Sequence, residues 1–102
     1  MTSICFDEDV KQGIRQDVVA LDWSGRGFSC EMWVDPPDQV WADFSHDVDE
    51  LLMTITGQLE IELNGEVHRL QPGQEILIPA KMLHTVRNTG HRTACWLYGY
   101  RQ

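Results

Sequence analysis

No stretch of this chain approaches the roughly 20 consecutive apolar residues that a membrane-spanning helix needs, so a membrane partner is not expected. Basic residues are also scarce: Lys and Arg number 8 against 16 Asp and Glu, a formal net charge of -8. None of the eight lies between Gly27 and His68, a span holding the ten acids Glu31, Asp35, Asp38, Asp43, Asp47, Asp49, Glu50, Glu60, Glu62 and Glu66. A nucleic-acid binder needs a basic stripe to neutralise phosphates, so nucleic acid is not expected either. Cysteine is limited to Cys5, Cys30 and Cys95, far apart and with no C-x-x-C pair. Reduced thiols packed as small apolar groups are the expectation. Residues Met1 to Asp9 carry neither a basic nor an apolar leader region, which points to a cytoplasmic address. Helical periodicity, internal repeats, a Gly-rich phosphate loop and a Ser/His/Asp or Cys/His nucleophile set are missing as well.

What the chain does have is alternation by two. With 42% hydrophobic residues in 102, it supports one small domain, expected over 13–102, preceded by an arm at 1–12. Val40, Ala42 and Phe44 alternate with Trp41 and Asp43; Leu59, Ile61 and Leu63 alternate with Glu60 and Glu62 and run into Asn64-Gly65. That dipeptide is the strongest short hairpin signal, because both residues tolerate the positive φ of a type I′ turn. Val67–Leu70 is then the return strand, and further strands are expected at Val18–Trp23, Phe28–Val34, Leu51–Thr56, Glu75–Ile78, Thr85–Asn88 and Thr93–Tyr100. Between them fall Ser24-Gly25-Arg26-Gly27, Asp35-Pro36-Pro37-Asp38, Gly57, Gln71-Pro72-Gly73, Pro79-Ala80 and Thr89-Gly90. Short strands at this spacing argue an all-β sandwich or barrel. Leu51 to Ile55 and Ile76 to Ile78 are apolar on both faces, which motivates a homodimer as the expected assembly.

Three residues carry candidate chemistry. His46 and Glu50 lie four apart, and His84 opens a later strand. Two imidazoles and a carboxylate suit a divalent iron, manganese, nickel or zinc, with open positions left for water or substrate. Residue types alone favour a plainer reading, in which Glu50 is a solvated carboxylate paired with Arg69 or Arg87.

The frame around them points to metal. The pattern G-x5-P-x-G-x2-H-x3-N is met at Gly73, Pro79, His84 and Asn88, with Lys81 in place of the middle glycine. The pattern G-x5-H-x-H-x3-E-x6-G is met at His46, Glu50 and Gly57, with Asp38 for the first glycine and Phe44 for the first histidine. In these motifs the chain resembles the cupin family, over Phe44 to Asn88. The resemblance implies a single-domain cupin β-barrel of jelly-roll type with His46, Glu50 and His84 as metal ligands. It implies a pocket inside the barrel, for which Phe44, Leu52, Thr54, Trp96 and Tyr98 are the candidate lining. The activity expected is metal-dependent turnover of a small organic molecule, with oxygenase chemistry leading and isomerase or lyase chemistry next. The competing expectation is a ligand-binding or sensory barrel without turnover, metal-free because Phe44 replaces a histidine.

Overall fold

Strand alternation in this chain stops wherever Pro, Gly and Asn cluster, and the fold follows that punctuation. The structure, a computed structural model, describes residues 15–102, so the arm expected at 1–12 lies outside the described residues. One helix, α1 (Gln16–Gly25), precedes eight strands: β1 (Glu31–Asp35), β2 (Val40–Phe44), β3 (Glu50–Thr56), β4 (Leu59–Leu63), β5 (Glu66–Leu70), β6 (Glu75–Ile78), β7 (His84–Asn88) and β8 (Ala94–Tyr100). They form two four-stranded antiparallel sheets, ordered β1-β8-β3-β6 and β2-β7-β4-β5. Asn64 and Gly65 both take positive φ, 48° and 83°, so β4 and β5 are joined by the turn their sequence demands. Among the described residues no helix is long and apolar enough to cross a membrane.

The strand expected at Val18–Trp23 is instead part of α1. Its run of Val, Val, Ala and Leu mimics a strand, but tertiary packing decides: Val19 and Trp23, one helical turn apart, dock on the same surface. Trp23 is fully buried, and its indole N–H donates to Glu75 of β6 over 2.9 Å. The helix ends where the amides of Gly27 and Phe28 donate back to the carbonyls of Ser24 and Trp23.

Two apolar clusters result. Between the sheets lie Leu52, Leu59, Ile61, Leu63, Leu70, Ile78, Val86, Ala94 and Trp96. On the outer face of the first sheet, Trp23 and Phe28 cover Leu51, Ile55, Cys95 and Leu97. The second apolar face of β3 is thus covered by α1 of the same chain. Cys30 is free and Cys95 is disulfide-bonded, which corrects the expectation of reduced thiols at Cys95.

Buried Asn88 closes the end of the barrel away from the hairpin. Its side-chain amide donates to the carbonyls of Asp35, Pro36 and Arg92, and its oxygen accepts from the amide of Gly90. A buried amide with this many partners is fully satisfied, which makes it a rigid joint between the β1–β2 and β7–β8 connections.

Candidate metal centre and its aromatic cavity

Each of the three candidate ligands is delivered by a different piece of local structure. His46 lies in the link after β2, Glu50 opens β3, and His84 opens β7. Phe44 of β2 pairs with His84 of β7, and Glu50 pairs with Ile78 and Tyr100, so sheet register alone brings both motifs to one end of the barrel. The loop before His84 is fastened there as well. Lys81 donates from its backbone to the His46 carbonyl over 2.6 Å, and Asp49 accepts the amide of Ala80 and the guanidinium of Arg101.

One potential ligand atom from each of His46, Glu50 and His84 lies within 4.8 Å of the others. Glu50 Oε1 is 3.4 Å from His46 Nε2 and 3.6 Å from His84 Nε2. It is nonetheless a buried oxygen that accepts no hydrogen bond. Burial pushes the Glu50 carboxyl up to about 7, and the His46 imidazole is held below its ordinary value by burial and then by His84. His84 Nδ1 lies 3.2 Å from the carbonyl of Met82. A carbonyl only accepts, so Nδ1 carries a proton there, and Nε2 is the ring nitrogen that faces Glu50. Arg69 and Arg87, the alternative partners for Glu50, pair instead with Glu60 and Glu62 on the outside of the second sheet.

These groups form one wall of a cavity of about 220 Å³ lined also by Trp33, Trp41, Phe44, Val86, Trp96, Tyr98 and Tyr100. Of the residues expected to line it, Phe44, Trp96 and Tyr98 do. Leu52 and Thr54 are not among the lining residues: both are completely buried, with Leu52 packed deeper between the sheets. Trp33, Val86 and the buried Asp35 were not anticipated. Asp35 is 1% exposed and accepts indole N–H bonds from Trp33, Trp41 and Trp96. The alternation of Trp33 with Asp35 was available as a signal, since residues two apart share a strand face, but Asp35 reads first as the opening of a Pro-rich turn.

The two missing glycines leave a conformational trace. Asp38 has φ 68° and Lys81 has φ 66°, so both retain the left-handed backbone that the motif glycines ordinarily supply. The family model for the Cupin domain matches residues 31–100. The chain belongs to the cupin domain family.

This cupin is 30% identical over 59 residues to a polyketide synthase, CurC, from Streptomyces cyaneus. The match takes in 58% of this chain and 38% of that protein, so the cupin spans well under half of the curated relative. Among solved structures it resembles the Cupin_2 domain of an XRE family transcriptional regulator from Enterobacter cloacae, with TM-score 0.68, 21% identity, and coverage of 78% of this chain and 85% of that one. The DMSP lyase DddQ from Ruegeria pomeroyi superposes with TM-score 0.66 and 22% identity, over 74% of this chain and 39% of that one. At these identities the likeness establishes the barrel and leaves its chemistry to the site.

Proposed function

We propose that this cupin holds a divalent transition metal at His46, Glu50 and His84 and acts on a small organic molecule admitted to the aromatic cavity beside it, with oxygenase chemistry as the leading class. The observation that carries the proposal is Glu50 Oε1, a buried acceptor left without a hydrogen bond while two imidazole nitrogens converge on it. An unpaired carboxylate oxygen is expensive to bury unless something cationic completes its surroundings. The donor set fits iron, manganese, nickel or zinc, and two imidazoles with one carboxylate leave coordination positions open. A metal bound there supplies Lewis acidity and, where it is redox-active, a means of engaging dioxygen.

The chain's own residues do the rest. Met82 fixes the tautomer of His84, Asp49 and Lys81 clamp the loops that carry the imidazoles, and the aromatic walls exclude water from whatever lies beside them. Phe44 stands where a further imidazole would bind, its ring stacked at 13° and 6.4 Å on His46, and so keeps that side of the centre apolar.

Elemental analysis of protein purified without chelator or affinity-tag metal tests the proposal. The expected result is about one equivalent of a transition metal, lost in His84→Ala and Glu50→Ala. No retention after anaerobic loading with iron, manganese, nickel, cobalt or zinc overturns it. Phe44 also supports a second reading, a ligand-binding barrel without turnover. In that case Phe44→His gains metal affinity and no activity.

A further inference from the structure

The cavity has an organised aromatic wall that the metal site does not explain. Three of the chain's four tryptophans, Trp33, Trp41 and Trp96, come from β1, β2 and β8 and point their indole N–H groups at the single carboxylate of Asp35. The bonds are 2.8 Å from Trp33 and 3.1 Å from Trp41 to one oxygen, and 3.2 Å from Trp41 and 3.0 Å from Trp96 to the other. No Lys or Arg pairs with Asp35 among the described residues, so its charge is answered by indole dipoles alone. Donating an N–H to an anion shifts electron density into the ring, which deepens the negative face of each indole. The three indoles, with Phe44, Tyr98 and Tyr100, line the cavity, and none of its ten lining residues is Lys or Arg.

Ring geometry narrows the occupant. Neighbouring walls meet steeply: Trp33 and Trp41 at 74°, Trp33 and Tyr98 at 76°, Trp41 and Phe44 at 53°, Trp96 and Tyr98 at 55°. A flat ring is clamped between parallel faces, whereas a compact tetrahedral headgroup is held by faces turned toward it from several directions. We infer that this cavity takes a small organic cation, of the quaternary ammonium or similar onium class, held by cation–π contact with Trp33, Trp41 and Trp96, with Asp35 as the positioning residue for the three indoles. The inference rests on the proposed function for its setting, since it names the class of molecule placed beside the metal centre.

Calorimetric titration of the full chain tests it, with tetramethylammonium and choline as cations and 3,3-dimethylbutan-1-ol as the neutral molecule of choline's shape. Each is titrated into chelator-stripped and metal-loaded protein. Both cations are expected to bind the stripped protein, choline at least about tenfold more tightly than the alcohol. Trp33→Leu, at a 41% exposed position, is expected to cut cation affinity about tenfold with the fold intact by circular dichroism. Asp35→Asn is expected to narrow the cation-to-alcohol ratio, and Asp35→Glu to restore part of it, a shift in selectivity that a purely structural role would not produce. Equal affinity for choline and the alcohol, or no binding of either cation to folded protein, overturns the inference. Cation binding by a protein that retains no metal removes the metal proposal and leaves this one standing. Metal retention with no cation preference does the reverse.

Discussion

Lys81 and His46 are joined backbone to backbone, the amide of one donating to the carbonyl of the other over 2.6 Å. The turn that carries one imidazole is therefore pinned to the residue that carries the other. Lys81 makes this bond from a left-handed backbone, φ 66°, where a Cβ crowds the adjoining peptide.

Lys81→Gly is therefore expected to stabilise the barrel by about 1 kcal/mol, the strain relieved less the added freedom of the unfolded chain. Lys81→Ala keeps the Cβ and should gain nothing. Thermal unfolding of both variants beside the wild type checks this, and equal melting temperatures for Gly and Ala would refute the strain argument.

Asn88→Ala removes an amide that serves three carbonyls and one backbone N–H in a buried site. The loss is expected to be roughly 3 kcal/mol, because the abandoned partners stay buried. Thr89→Ala, at the exposed neighbouring position, should leave stability within about 0.5 kcal/mol of wild type. Urea denaturation compares the two, and a similar midpoint for both would mean that solvent reaches the freed carbonyls.

Glu50 imposes a pH dependence on the metal-free protein. Its ordinary pKa of 4.5 rises to about 7 on folding, so between those values the folded chain holds a proton that the unfolded chain has released. The stability associated with the protonated carboxyl is complete below about 4.5 and is lost as pH rises through about 7. Glu50→Gln removes this dependence. The variant's advantage over wild type, measured by melting in chelator, should grow across that window to about 3 kcal/mol. Metal affinity of the wild type should tighten over the same window, because the ligand must be deprotonated. Parallel stability curves for the two proteins would show that the carboxyl is not desolvated.

Gly99 sits in β8 where a Cβ would overlap the Ser29 carbonyl, an atom of the backbone that cannot swing aside. Gly99→Ala is expected to cost about 3 kcal/mol or to abolish folding. Gly25→Ala, with nothing near the added methyl and a helical setting, is expected to be neutral or to stabilise by up to about 1 kcal/mol. Soluble yield and chemical denaturation distinguish them, and a folded Gly99→Ala of wild-type stability would mean that the segment around Ser29 shifts.

The parts of this molecule legible in the sequence were those set by short-range rules. All eight strands after α1 follow from alternation and from where Gly, Pro and Asn interrupt it, and the Asn64-Gly65 turn follows from the φ those residues allow. The phase of β8 was also readable: Cys95 faces away from Trp96 and Tyr98. Helix α1 was hidden because Val18, Val19 and Leu21 favour a strand locally, and only the docking of Trp23 on the outer face of the sheet reverses that preference. Asp35 was hidden for another reason. Its three indole donors stand at 33, 41 and 96, and no local pattern links the last of these to the first two. Leu52 and Thr54 share the inward face of β3 with Glu50, but alternation gives the face of a side chain and says nothing of its depth.

Strand β8 serves two masters. Cys95 and Leu97 belong to the packing beneath α1, while Trp96, Tyr98 and Tyr100 form cavity wall. A slip of one residue would exchange the two sets at a stroke, putting rings under the helix and a half-cystine and an aliphatic chain into the cavity. Glycine at 99 blocks that slip physically, since any other residue brought opposite Ser29 would collide with it. New ligand preferences in this barrel therefore have more room to arise from β1 and β2, where the part-exposed Trp33 and Phe44 stand, than from β8, which contributes three of the ten lining residues.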